Sequence, residues 1–172
     1  SDTGDVFTFE EGDEYRFVVE GNGPIGDLAT AEGTNITSAF GWMLQSVMYM
    51  KGATNTCIMP YVKELIICDG ITSIGNYAFC GASGLEKLSI ANTVTNIGDY
   101  AFFYAINLEN VKLPSKIESI GYYAFGNTKI QNITIPNSVK KLSGCVFLSC
   151  YNLASIKFLP TDLTGIDIDG IV

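Results

Sequence analysis

A chain of 172 residues with 47% hydrophobic side chains can fold around a continuous core, which excludes a disordered, tail-like polymer. Ten Lys and Arg against 18 Asp and Glu leave a net charge of -8, which repels phosphate backbones and anionic lipid headgroups and argues against nucleic acid or a membrane surface as partner. No apolar run approaches the roughly 18–20 residues that would cross a bilayer, so direct membrane insertion is not expected.

The charges divide the chain. Residues 1–60 hold nine acids and, as bases, only Arg16 and Lys51, whereas residues 61–158 hold six acids and eight lysines, implying two differently built regions. In the first, Val6-Phe7-Thr8-Phe9 and Tyr15-Arg16-Phe17-Val18-Val19 read as two strands of a hairpin joined by the acidic turn Glu10–Glu14. Gly21-Asn22-Gly23-Pro24-Ile25-Gly26 then matches the dinucleotide fingerprint G-x-G-x-x-G. Its context fails, because 29–33 breaks early where a long helix should open and no acid lies between Glu32 and Glu64. The motif is read as the turn leaving the hairpin. Thr37 or Ser38 is placed to cap a helix with Phe40, Met43, Leu44, Val47 and Met48 on one face and Gly52 past its end. Hairpin and helix together make 1–61 a capping region for whatever follows. The chain opens with neither a methionine nor an apolar signal segment, and so reads as a processed one.

From Val62 onward the chain repeats itself. Tyr77-Ala78-Phe79, Tyr100-Ala101-Phe102 and Tyr123-Ala124-Phe125 follow at 23 residues, and Cys145-Val146-Phe147 comes 22 residues later. Other apolar columns keep step: Leu85, Leu108, Ile130 and Leu153; Leu88, Val111, Ile133 and Ile156; Ile90, Leu113, Ile135 and Phe158; Val94, Ile117 and Val139; Ile74, Ile97, Ile120 and Leu142. With the half-unit Val62, Leu65, Ile67 and Ile71 before them, this makes about four repeats of 22–23 residues plus a half-repeat over 62–160.

Within each unit Leu-x-x-Leu-x-Ile alternates with period two and predicts short strands at about 64–68, 87–91, 110–114, 132–136 and 155–158. Ala91, Pro114 and Pro136 end them, proline being unable to donate to a ladder. Gly75, Gly98 and Gly121 mark a turn that needs a positive φ or a close backbone approach. So short a strand cannot bury its face alone, but coils stacked about 4.8 Å apart share one core. The expected fold is an α/β-type repeat solenoid: a right-handed superhelix with one parallel β-sheet, capped by the hairpin and helix. Residues 161–172 alternate weakly through Leu163, Ile166 and Ile168, either closing the last coil or beginning a further region.

Ile97-Gly98-Asp99-Tyr100-Ala101-Phe102, followed by Leu108-Glu109-Asn110-Val111-Lys112-Leu113-Pro114, resembles the BspA-like leucine-rich repeat, whose unit runs Ile-Gly-x-x-Ala-Phe-x-x-Cys-x-x-Leu-x-x-Ile-x-Ile-Pro. The chain departs from that pattern in its cysteine column (Ala82, Ala105, Cys150). The third unit is also one residue short at Gly126-Asn127-Thr128, and Leu142-Ser143-Gly144 shifts the glycine. The resemblance implies a leucine-rich-repeat superhelix from a bacterial protein, secreted or attached to the cell surface, with a role in adhesion to proteins or cells and no catalysis. Signal and anchor are not expected within this stretch.

The chemistry-bearing residues agree with a non-enzyme. With no histidine, a Ser-His or Cys-His nucleophile cannot be assembled. Glu10-Glu11 and Asp13-Glu14 fall in a turn, where charge runs are solvated. Asp167-Ile168-Asp169-Gly170 matches part of a calcium loop without its remaining ligands. Cys57, Cys68, Cys80, Cys145 and Cys150 show no C-x-x-C spacing and read as buried, inert thiols, with a Cys57–Cys68 pair left open. No catalytic residue, metal or cofactor is assigned. Asn35 and Asn132 head glycosylation sequons that matter only in a eukaryotic secretory host. The Tyr77, Tyr100 and Tyr123 column could serve as a carbohydrate-stacking ladder, but an outer, partly buried packing role is favoured.

If the Leu and Ile columns face the core, the alternate strand residues face outward. They form two columns: Glu64, Lys87, Asn110, Asn132 and Ser155, and Ile66, Ser89, Lys112, Thr134 and Lys157. Solenoids use such broad faces for binding. This one lacks the Trp, Tyr and Arg anchors of a strong hot spot, so modest or multivalent affinity is expected. Lys87, Lys112 and Lys157 would give a basic stripe for an acidic protein or a sulfated glycan. The chain is therefore read as a monomeric binding module for an extracellular protein or glycan, with a structural spacer or targeting region of a larger surface protein as the alternative.

Overall fold

The computed structural model describes residues 6–10, 15–26 and 62–159. Its strands are β1 (Val6–Glu10), β2 (Tyr15–Glu20), β3 (Gly23–Ile25), β4 (Val62–Ile67), β5 (Ile71–Ile74), β6 (Lys87–Ile90), β7 (Asn96–Ile97), β8 (Asn110–Val111), β9 (Ser119–Ile120), β10 (Asn132–Ile135), β11 (Lys141–Leu142) and β12 (Ser155–Phe158). The expected repeat strands are all present, shortest at β8. No described residue is helical. The expected helix after Thr37 and the tail 161–172 lie outside the described residues.

The expectation of one sheet needs correction, because each coil places a strand on two of its sides. The front sheet runs β1-β2-β4-β6-β8 and continues as the separate pair β10-β12, while a back sheet runs β3-β5-β7-β9-β11. The cause is the Ile column that precedes each glycine. Ile74, Ile97, Ile120 and Leu142 are fixed in the core at successive coils, which brings the backbones before them into hydrogen-bonding register. Every pairing is parallel except β1 with β2. The front ladder is interrupted between β8 and β10, directly after the unit that is one residue short.

The hairpin of β1 and β2 forms as expected, and β2 lies parallel on the edge of β4, with Phe17 opposite Leu65 and Val19 opposite Ile67. The chain then turns through Gly21 into β3, which lies parallel on β5 with Ile25 opposite Ile74. The G-x-G-x-x-G segment therefore builds a solenoid corner and a back-sheet strand, not only a hairpin exit. Phe17 and Val19 are buried in the same core as the repeat columns.

The third side of each coil is a run of turns. Here Phe79, Phe102, Phe125 and Phe147 are 1% exposed or less and stack ring on ring, with centroids 5.3, 5.4 and 6.0 Å apart. On this side hydrogen bonds run forward along the chain: Phe79 donates its N–H to the Ala101 carbonyl at 2.8 Å, and Phe102 to that of Ala124 at 2.8 Å. At the sheet corners they run backward, as from the Gly98 N–H to the Ile74 carbonyl. The reversal accompanies left-handed backbone at Tyr77, Tyr100, Tyr123 and Cys145, with φ of 55° to 58°. The glycine column does not carry that conformation. Gly98 is needed for close approach, since a Cβ there would lie 2.6 Å from Asn76 Oδ1 and 2.7 Å from Asn76 N.

Candidate functional site

The outward positions of the front sheet form two columns set by strand register. Glu64 pairs with Lys87 and Lys87 with Asn110, while Ile66 pairs with Ser89. Beyond the break, Asn132 pairs with Ser155 and Thr134 with Lys157. Lys112 follows the short strand β8. Eight of these ten residues are exposed, and Glu64 and Ile66 are half-buried. The structure lengthens both columns by one residue that the repeat reading missed: Arg16 lies opposite Glu64, and Val18 opposite Ile66. The alternation of Arg16-Phe17-Val18-Val19 in the hairpin is the sequence signal that carries them.

Electrostatics change along this face. Arg16 Nε donates to Glu64 Oε2 at 2.7 Å, so the acidic start of the first column is paired. Beside it Lys63 Nζ donates to Glu86 Oε1 at 2.6 Å. That bond and the Lys63 charge, assisted by Lys87 and Lys129, hold the Glu86 carboxyl below the usual carboxylate range. Lys87, Lys112 and Lys157 have no ion pair among the described residues. They do not form one stripe: Lys87 belongs to the first column, Lys112 and Lys157 to the second, with Thr134 between the last two. Ser155 Oγ donates to Asn132 Oδ1 at 2.6 Å, so that end of the face is a bonded polar pair. At the hairpin end of the face, where β2, β4 and β6 finish, an open depression of about 590 Å³ is lined by Glu20, Cys68, Asp69, Ser89 and Asn92 with Ile67, Ile90 and Ala91.

On the turn side, Tyr77, Tyr100 and Tyr123 are half-buried and stacked, at 4.7 and 5.2 Å. Phe103 meets Tyr100 and Tyr123 edge-on. This is the outer packing role expected of the column.

Cys150 is the one buried thiol among the described residues; Cys68, Cys80 and Cys145 are half-buried, and all four are free. Burial pushes the Cys80 thiol up, and burial with the charges of Glu20 and Asp69 pushes up that of Cys68, which keeps both protonated and poorly nucleophilic. Cys57 and the Asp167–Gly170 segment lie outside the described residues. Among the described residues no three His, Cys, Asp or Glu side chains gather as a metal site, and no helix is long and apolar enough to cross a membrane.

Coils stacked through two parallel ladders, with an internal phenylalanine column and an exposed polar face, define a repeat solenoid. The model for the BspA type leucine rich repeat region matches residues 62–169 in six copies, and the chain belongs to that family. No curated protein matches it. Among solved structures it is similar to a leucine rich repeat protein of T. pallidum, at 21% identity and a TM-score of 0.57 over 87% of this chain and 67% of that one. A leucine-rich repeat protein from Bacteroides ovatus gives 23% identity and a TM-score of 0.58 over 93% of this chain and 40% of that one. A leucine rich cell surface protein from Faecalibacterium prausnitzii gives 19% identity and a TM-score of 0.50 over 94% and 54%. The chain thus spans 40% to 67% of the lengths of these proteins.

Proposed function

We propose that this chain is a non-catalytic binding module of a bacterial surface or secreted protein, monomeric, which engages an extracellular protein or glycan through the front sheet. The observation that carries the reading is the pair of outward columns, which run across successive coils without serving the core. A rigid scaffold presents them, so little ordering entropy is lost on contact. Its solved neighbour from Faecalibacterium prausnitzii is described as a cell surface protein, which supports the location.

Lys87, Lys112 and Lys157 suit a partner with repeated acidic groups, although the chain as a whole carries a net charge of -8. The test is a binding measurement of the purified chain against immobilised matrix proteins and heparin, compared with the triple variant K87E/K112E/K157E. Wild-type binding that weakens as salt rises and is lost in the variant is the expected outcome. A variant that binds equally well overturns the assignment to this face. If neither protein binds any probe, the spacer reading takes its place.

A further inference from the structure

The front ladder thins along the chain, and its prolines show why. β4 and β6 share four register pairs, β6 and β8 two, and β10 and β12 four. Among the described residues no strand pairing joins 110–114 to 132–136. Where strands leave the front sheet, the Ala91 N–H donates to the Ile67 carbonyl and the Leu159 N–H to the Ile135 carbonyl, both at 2.9 Å. The same position in the two coils between is held by Pro114 and Pro136, which have no N–H to give. Pro114 leaves a short ladder. Pro136 coincides with the one-residue deletion just before β10, and there the ladder is gone.

The other two sides of the same junction are fastened. On the back, Ser119 pairs with Lys141 and Ile120 with Leu142. At the turns, the Phe125 N–H donates to the Val146 carbonyl at 3.0 Å and the Asn127 N–H to the Leu148 carbonyl at 2.9 Å. Cys150 Sγ and Thr128 Oγ1, both buried, converge on the Phe125 carbonyl at 3.1 and 2.9 Å. The core runs through beneath, with Leu113 and Ile135 both buried. Across the junction, however, the phenylalanine rings step from 5.3 and 5.4 Å to 6.0 Å, and their tilt grows from 5° or 6° to 13°. A junction bonded on two sides and unbonded on the third opens toward the third.

We propose that this junction is a hinge in the front face. The coil of β10 and β11, together with β12, rocks against the coils before it, pivoting on the back sheet and the turns, and the facing backbone groups of 110–113 and 132–135 meet water in the gap. An unpaired edge lowers the cost of local opening relative to a strand paired on both sides, such as β6. The front face therefore consists of two platforms, Arg16 to Lys112 and Asn132 to Lys157, and their tilt sets the distance between Lys112 and Lys157. The hinge belongs to the fold and does not depend on the face being a binding surface.

The test is NMR relaxation dispersion on the full chain, labelled with 15N and at its Ile and Leu methyls, which reads μs–ms motion. Exchange should appear at amides 110–113 and 132–135 and at the methyls of Leu113, Ile133 and Ile135, with residues 65–67 and 88–90 flat. In hydrogen exchange, 132–135 should be less protected than 87–90 by roughly tenfold, the worth of one hydrogen bond. Two variants close the gap: P136A returns an N–H to the strand exit, and one serine inserted between Thr128 and Lys129, where the preceding coil has Ile106, restores the 23-residue unit. At least one of them, melting cooperatively, should suppress the dispersion. Fast hydrogen exchange with flat dispersion means a static gap and overturns the hinge. Dispersion of equal size in all front strands, or dispersion unchanged in both well-folded variants, overturns it too.

Discussion

Two aromatic columns run side by side through the turns of the solenoid, two residues apart in every Tyr-Ala-Phe triplet, and they do different physical work. The phenylalanines are sealed from water and stack at 5.3 to 6.0 Å in ordinary backbone. The tyrosines stack more closely, at 4.7 and 5.2 Å, yet remain half-exposed and sit at positive φ, which costs a non-glycine residue about 1–2 kcal/mol. The same period produces both ladders. Which one holds the fold together depends on the side of the backbone it occupies. The inner ladder supplies burial. Stacking and the forward hydrogen bonds that left-handed backbone permits offset the strain of the outer one.

The sharpest way to break this contrast is at the inner ladder. Phe102 lies between two stacked neighbours at 0% exposure, so Phe102→Ala should destabilise by about 3–5 kcal/mol in chemical denaturation. A loss below that of a surface change would mean that the ladder is not the core. Next in size is the corner that sets coil spacing. A Cβ at residue 98 would press on the Asn76 backbone and side chain, so Gly98→Ala should cost about 1–3 kcal/mol although alanine is the better strand former. Unchanged denaturation would show that the coils can spread apart without cost.

Much of this could be read in the residues themselves. The front strands were legible because Leu-x-x-Leu-x-Ile alternates over enough positions to specify a face, and the outward columns followed from the same period. The back sheet was not, because strands as short as Asn96–Ile97 carry no alternation of their own and arise only when coils stack. The left-handed tyrosines ran against propensity, which assigns positive φ to the neighbouring glycines. Arg16 and Val18 were missed because 36 residues, 26–61, separate β3 from β4, and nothing in sequence spacing says that a hairpin will continue a repeat register.

The outer ladder offers smaller and more discriminating tests. If backbone strain is real there, Tyr123→Gly should be more stable than Tyr123→Ala by about 1 kcal/mol, reversing the usual order, since glycine alone relieves a φ of 55°. Alanine as the better replacement would remove strain from the account.

The least effect at neutral pH, and the one that separates the two ladders chemically, is alkaline. Burial, then the neighbouring Tyr77 and Tyr123, raises the Tyr100 phenol above its ordinary value, and hydrogen bonds with Tyr123 and Cys145 raise that of Tyr122. A phenol whose folded pKa lies above the unfolded value of about 10 keeps its proton more tightly when folded. Its contribution is therefore complete below pH 10 and is lost as pH rises through the folded value. Wild type should lose melting temperature as pH rises above about 10, and Tyr100→Phe, which keeps the ring in the stack but cannot ionise, should lose less. The inner ladder has nothing to titrate and adds nothing to this slope. Equal slopes for wild type and Tyr100→Phe would mean that the outer ladder is as well solvated as free tyrosine, and that the forward hydrogen bonds alone hold the turns in register.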